Sequence, residues 1–264
     1  MSLITLMTDF GIKDGNVGVM KGVIWSLAPD ARIADLSHHI SPQNVREAAL
    51  ILARSAPYFP PETIHLVVVD PGVGTERRPL AARIGAHYFV GPDNGLLTLL
   101  LEREADTEFI HLDRPGYWLP DISSVFHGRD IFAPCAAHLA RGVPLSELGS
   151  PIADPVRLDF PRPQDIPGGL RGEIIHIDHF GNLSTNIRRE HLQGRMDLAV
   201  RCGAVEVQGL VRTFGERPPG ELVSLYGSTG NLLLCVVNGS AAQRLGARPG
   251  DAVEVKFQRP NPET

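Results

Sequence analysis

Apolar residues come in short unbroken blocks through the first hundred positions, and polar turns separate them. Residues 3–7 (LITLM) predict a buried strand that runs into the polar turn Thr8-Asp9-Phe10-Gly11. Residues 17–27 (VGVMKGVIWSL) carry helical spacing and stop before Pro29. A second strand is expected at 32–36 (RIADL). A helix is expected from Asn44 to about Tyr58, ended by Pro57, Pro60 and Pro61. Residues 64–69 (IHLVVV) are the strongest strand signal, and 87–91 (HYFVG) predict another. A leucine-rich helix is expected from Gly95 to about Arg103. Strands alternating with helices, several of them apolar along their length, predict a sheet covered on both faces. In such sheets ligands gather beyond the carboxyl ends of the strands. The polar residues at those exits are Asp9, Ser37, Asp70 and Asp93, which predicts one shared cleft.

The texture changes at 151–170, where PIADPVRLDFPRPQDIPGG is proline-rich and aperiodic and reads as a linker. Short β-type runs follow at 172–177, 198–201, 204–211, 222–226, 232–237 and 252–257, separated by turn residues. The fold expected is α/β: an N-terminal α/β sandwich domain over 1–163 and a smaller C-terminal antiparallel β-barrel-like domain over 170–258.

Composition removes several function classes. Length 264, 43% hydrophobic and 21% charged residues fit one large or two modest globular domains, not a disordered chain. A net charge of −5 with no basic run gives no electrostatic footprint for nucleic acid or an anionic membrane. Cys135, Cys202 and Cys235 are too few and too widely spaced for a disulfide framework or a zinc set, and read as core residues. No window holds about 18 consecutive apolar residues. The N-terminus lacks the pattern of a signal peptide, so a cytoplasmic protein is expected.

Candidate chemistry concentrates in a few stretches. In VVVDPGVGTERR (67–78) a buried strand ends on Asp70, and two arginines follow a Pro-Gly turn. Gly72 and Gly74 do not make a dinucleotide fingerprint: the third glycine is missing and Pro79 opposes a helix there. Asp70 with an arginine reads either as a surface ion pair or as a working carboxylate. In FHGRD (126–130), His127 is either a structural hydrogen-bonder or a loop residue facing a ligand. Asp9 could cap the next segment, and Asp93-Asn94-Gly95 could be a plain turn. Carboxylates near His38, His39 and His127 raise the idea of a metal, but no HExxH or paired Cys/His spacing supports it, and no metal is expected. DHFGNLSTN (178–186) reads as a loop in which Phe180 can stack and Asp178 and Asn182 can bind hydroxyl or amine groups, or as a structural turn.

MTDFG (7–11), VVVDPGVGTERR (67–78), GPDNG (91–95), FHGRDIFAP (126–134), DHFGNLSTNI (178–187) and YGSTGNLLLCVVNGSAA (226–242) together resemble the S-adenosylmethionine hydroxide adenosyltransferases. That family is related to the S-adenosylmethionine-dependent fluorinase and chlorinase. The resemblance runs in order over nearly the whole chain. It implies hydrolysis of S-adenosylmethionine to adenosine and L-methionine by a homotrimer whose active sites lie between subunits. It implies no cofactor, S-adenosylmethionine being the substrate. The family's water-activating set falls on Asp70, Arg77 and His127, and its ribose-binding aspartate on Asp9. Asp178 and Asn182 are implied to hold the methionine end, Phe180 to pack on the ligand, and Ser228 and Asn238 to contact it. After MTDFG many relatives have Asp-Pro-Tyr, where this chain has Asp14-Gly15-Asn16.

The chemistry asks for little beyond these residues. A sulfonium leaves as a neutral thioether, so no general acid is needed. The nucleophile must be held in line with the C5′–S bond, and water, with a pKa of about 15.7, needs an acceptor for its proton. Asp70 and Arg77 are expected to orient the water and His127 to help carry the proton. Two alternatives share the scaffold: a halogenase using chloride or fluoride, and a non-catalytic binder of S-adenosylmethionine or adenosine. A carboxylate at the nucleophile position opposes a halide, and a pure binder has no use for it. A metal-dependent phosphohydrolase using the strand-end aspartates is a further alternative, which a chelator would separate.

Overall fold

The computed structural model describes residues 2–257. The chain divides into two compact units, Met1–Leu158 and Asp159–Thr264. The first is built from β1 (Leu3–Thr8), α1 (Asn16–Leu27), β2 (Arg32–Ser37), α2 (Val45–Ser55), β3 (Ile64–Val68), β4 (Pro79–Ile84), β5 (His87–Pro92), α3 (Thr98–Leu101), β6 (Thr107–His111), α4 (Ala133–Ala140) and β7 (Ser150–Pro151). The strands make one sheet in the order β2-β1-β3-β5-β4-β6-β7. β2, β1, β3 and β5 are parallel to one another, and β4, β6 and β7 pair antiparallel.

Alternation along β3 sorts the core into two layers. Leu66 and Val68 pack in one cluster with Met20 and Ile24 of α1 and Ala136 and Leu139 of α4. Val67 and Val69 pack in the other with Ala48 and Leu52 of α2 and Leu100 of α3. Helices thus cover both faces, as the periodicity predicts. Each fully buried leucine or isoleucine in these layers contributes roughly 1.5–3 kcal/mol. α2 starts where expected because the Asn44 side chain accepts the Glu47 N–H at 3.1 Å. The helix expected from Gly95 to Arg103 shortens to Thr98–Leu101, because Asn94 and Thr98 bond to nearby backbone and hold the entry as a turn. β4 and β6 carry no clear period in the sequence and were not expected.

The second unit holds β8 (Gln164–Ile166), β9 (Gly169–Ile177), β10 (Leu183–Arg188), β11 (Leu198–Cys202), β12 (Val205–Gln208), β13 (Leu222–Tyr226), β14 (Asn231–Val236), α5 (Ala241–Leu245) and β15 (Ala252–Phe257). Its strands run in the order β12-β11-β15-β9-β10-β14-β13, with β8 added to β9. Every pair is antiparallel. The two ends of the sheet approach each other. Past β12, the Val211 N–H donates to the Ser224 carbonyl of β13 at 2.9 Å, and Ser224 Oγ donates to the Gly209 carbonyl at 2.6 Å. The sheet therefore curls into the expected barrel-like form around Ile174, Leu183, Leu198, Leu232 and Val253.

The polar run 178–186 predicts a loop, yet Leu183–Arg188 is a strand buried along most of its length. Its polar side chains satisfy backbone groups. Thr185 Oγ1 donates to the Leu232 carbonyl at 2.9 Å, and Asn186 Nδ2 to the Pro161 carbonyl at 3.0 Å. Bonded this way, they enter a core that their polarity alone would forbid.

Candidate active site

β1 and β3 are neighbours, with Thr8 in register with Val68. Asp9 follows β1 and Asp70 follows β3 closely, so both arrive at one carboxyl edge of the sheet. Beyond Asp70 the chain folds back. The Val73 N–H donates to the Asp70 carbonyl at 3.2 Å, and Thr75 Oγ1 to the Gly72 carbonyl at 2.7 Å. These turns return Arg77 to Asp70. Arg77 Nε donates to Asp70 Oδ1 at 2.9 Å, and Arg77 Nη2 makes a second, shorter contact with Oδ2. The side chains are 9% and 5% exposed, so this is a buried bidentate pair and not the surface ion pair left open by composition.

His127 completes the group. Its Nδ1 lies 3.0 Å from Arg77 Nη2. A guanidinium only donates, so Nδ1 accepts and the ring proton of neutral His127 sits on Nε2. Burial first, and then the Arg77 cation, hold His127 below the usual histidine range, while Asp70 and Asp130 pull the other way. Arg77 also lies over the Phe132 ring, with Cζ 5.2 Å from the centroid. Its Nη1 is buried and has no hydrogen-bond partner in the protein. The structure thus gathers an acceptor carboxylate, an unspent guanidinium donor and an imidazole N–H.

Asp9 does not cap α1, whose N-cap is Gly15; its carboxylate accepts the Gln43 N–H at 2.7 Å. Asp93 is committed elsewhere, taking Arg78 at 2.9 and 2.7 Å and the Val156 N–H at 2.8 Å. That clamp pins the first part of the proline-rich stretch to the sheet. His38 is buried and spends Nδ1 on Thr8 Oγ1 at 2.9 Å. Among the described residues no three His, Cys, Asp or Glu side chains are grouped to hold a metal ion. The three cysteines are free and buried, and burial pushes Cys135 and Cys235 up to about 12, which makes them poor nucleophiles.

In the second unit, Asp178, Phe180 and Asn182 share the turn between β9 and β10. Asp178 accepts the N–H groups of Phe180 and Asn182, both at 2.9 Å, and Asn182 Nδ2 at 2.8 Å. Three of about four acceptor positions are used, which leaves one for a further donor. Phe180 is 72% exposed. Asn238, in left-handed backbone at φ 53°, sits just past β14 near the same turn, because Leu183 pairs with Leu234 and the Ala242 N–H donates to the Gly181 carbonyl at 3.0 Å. Ser228 precedes β14 and Asn238 follows it, so the two lie in turns at opposite ends of a strand about 17 Å long at roughly 3.3 Å per residue. The sequence reading missed Phe132 and Asp130, which support Arg77 and the His127 turn; the signal available was their place within FHGRDIF.

Residues 4–149 match the profile described as SAM hydroxide adenosyltransferase N-terminal domain, and residues 172–254 match that of the C-terminal domain. A protein of Salinispora tropica named (R)-S-adenosyl-L-methionine hydrolase is 42% identical, with 96% of this chain and 97% of the relative aligned. One of the same name from Thermus thermophilus is 40% identical over 97% of this chain and its own full length. A fluorinase from an Actinoplanes species is 32% identical over 72% of this chain and 73% of its own. A crystal structure of an uncharacterized conserved protein from Thermotoga maritima superposes with a TM-score of 0.91 at 38% identity, covering 96% and 99% of the two chains. On these matches, spanning both units, the chain belongs to the SAM hydroxide adenosyltransferase family.

Proposed function

We propose that the protein hydrolyses S-adenosyl-L-methionine to adenosine and L-methionine, with Asp70, Arg77 and His127 handling the attacking water. The observation that carries this reading is the buried Asp70–Arg77–His127 group with its unspent Arg77 Nη1 donor. The water oxygen forms the new bond to C5′ while the C5′–S pair leaves on sulfur as the neutral thioether of methionine. The proton it sheds goes to Asp70, whose oxygens each keep a lone pair beside their Arg77 contacts. Arg77 Nη1 and the His127 Nε2–H orient the oxygen. This differs from the expected role of His127 as a proton carrier, because its Nδ1 is spent on Arg77.

Asp9 binds the ribose hydroxyls in this reading. Asp178 takes the substrate ammonium in its remaining acceptor position, assisted by Asn182. Phe180, Ser228 and Asn238 contact the rest of the ligand. A ring 72% exposed in the single chain suits a face completed by another subunit, which supports the proposed homotrimer with shared sites. No metal or organic cofactor enters the proposed step. Halide transfer is disfavoured because a buried carboxylate repels the anion at the nucleophile position. No helix among the described residues is long and apolar enough to cross a membrane.

The test is incubation with S-adenosylmethionine in halide-free buffer containing EDTA, with products separated by chromatography. Equimolar adenosine and methionine are expected, at a rate EDTA does not change. No turnover, turnover lost to EDTA, or a halogenated nucleoside on adding chloride or fluoride would each overturn the assignment.

A further inference from the structure

Residues 128–132 wind as a π-helix before α4 begins at Ala133, and such turns recur at functional sites. Within this turn Asp130 is fully buried. A buried carboxylate needs partners, and each of its partners belongs to the segment that carries His127. Oδ2 accepts the Ser123 N–H at 2.8 Å and Arg129 Nη2 at 3.0 Å, and Oδ1 accepts Arg129 Nε. Its carbonyl accepts the Leu119 N–H at 2.9 Å. One residue therefore ties both ends of the 119–123 stretch back to the turn.

The tied loop presses on the catalytic group from outside. Gly74, at φ +76°, lies so close to the Ser124 carbonyl that a Cβ there would sit 2.3 Å from its oxygen. Gly74 belongs to the turn joining Asp70 to Arg77. The inner side is filled as well, since a Cβ on Gly128 would meet Met20 Sδ and Val68 Cγ1 at 3.3 Å. The chain on either side of His127 is thus packed, Ser124 against the 70–77 turn and Gly128 against Met20 and Val68.

We propose that Asp130 is a positioning residue that holds His127 against Arg77 by tying the 119–127 loop to the π-turn. This rests on the hydrolytic reading above. Without the carboxylate the loop lifts from the 70–77 turn, His127 Nδ1 leaves Arg77, and the water loses one of its orienting donors.

The test is Asp130→Asn, which keeps the volume but sets an NH₂ against either Arg129 or the Ser123 N–H. Activity and a ¹³C-histidine NMR titration of His127 are read together. A kcat loss of about 10–100-fold with KM within about twofold is expected from misplacement of one group. The titration separates positioning from charge. His127 faces Arg77, Asp70 and Asp130; the two carboxylate charges, Asp70 and then Asp130, both raise its pKa, and only the second is removed in Asp130→Asn. Loss of charge alone therefore moves His127 down, whereas release from burial and from Arg77 moves it up. An upward shift with the kcat loss supports the proposal. An unchanged kcat, or a loss with His127 unmoved or shifted down, overturns it. If Asp130→Asn does not fold, Ser123→Pro decides the matter: it deletes the N–H donated to Asp130 and leaves the carboxylate with Arg129. The Oγ lost with it, which accepts the Val125 N–H at 3.2 Å, is controlled by Ser123→Ala. Ser123→Pro must show the same upward shift and kcat loss, and wild-type values would overturn the proposal. If the wild type itself does not consume S-adenosylmethionine, the hydrolytic reading fails, while the direction of the His127 shift still judges the positioning role.

Discussion

Arg77→Met isolates the energetics of the proposed centre. The substitution removes two contacts to Asp70, one to His127 and the cation over Phe132, while keeping much of the side-chain volume. Asp70, 5% exposed, is left charged with nothing opposite it. At 2.9 Å the gross attraction is about 6 kcal/mol at an effective dielectric of about 20, and desolvation of both ions offsets much of it. Removing one partner of a buried pair costs about 3–5 kcal/mol, because the surviving charge stays buried. Asp70→Asn with Arg77→Met together should return to within about 2 kcal/mol of the wild type, since no bare charge remains. Both tryptophans, Trp25 and Trp118, lie in the N-terminal unit, so their fluorescence reports its urea unfolding alone. With a slope of about 2 kcal/mol/M, the single variant should unfold about 2 M earlier. Its turnover should fall by at least about 100-fold. A midpoint within about 0.5 M of wild type, or a double variant as weak as the single, would refute the reasoning.

Other expectations follow from the same geometry. His127 must be neutral to accept from Arg77 at Nδ1, and its pKa is held down by burial and by Arg77, so the acid limb of kcat/KM should fall below the ordinary histidine range; a limb at or above pH 6.5 contradicts this. His65, buried in β3 and pushed down by burial to about 3, stays neutral while the unfolded chain takes a proton, so stability should decline as pH falls from about 6.5 towards about 3, by up to ~1.4 kcal/mol per pH unit. His65→Gln should flatten that slope in urea titrations at several pH values. Asp9→Ala should raise KM with kcat largely kept, because a ribose contact helps ground and transition states about equally; a kcat collapse at constant KM would reassign Asp9. Mixing Asp70→Ala and Asn182→Ala chains should restore some activity if sites join two subunits, and verified co-assembly without recovery would place the site within one chain.

How far the fold could be read in advance depended on whether a residue's neighbours in sequence were also its neighbours in energy. The apolar blocks of β1 and β3 and the helical spacing of α1 announced themselves, because local period and burial agree there. β10 did not, since its Ser, Thr and Asn side chains are buried against distant carbonyls such as that of Leu232. β4 starts on a proline and carries Arg83, and its pairing with β5 and β6 is a tertiary fact. Asp70 and Arg77 stood out as a motif, but composition could not tell a surface pair from a buried one. Asp93 looked equal to Asp70 as a strand-end carboxylate, and only the Arg78 and Val156 contacts show it to be a clamp. The roles of Phe132 and Asp130 depend on a π-turn, which leaves no period in the sequence.

Turnover of S-adenosylmethionine in H₂¹⁸O, with chelator present and halide absent, tests the central claim most directly. Attack of water on C5′ predicts one ¹⁸O in the 5′-hydroxyl of adenosine, none in methionine, and no labelled nucleoside from Asp70→Asn within the same period. Unlabelled adenosine, label in methionine, or full activity in Asp70→Asn would contradict the account.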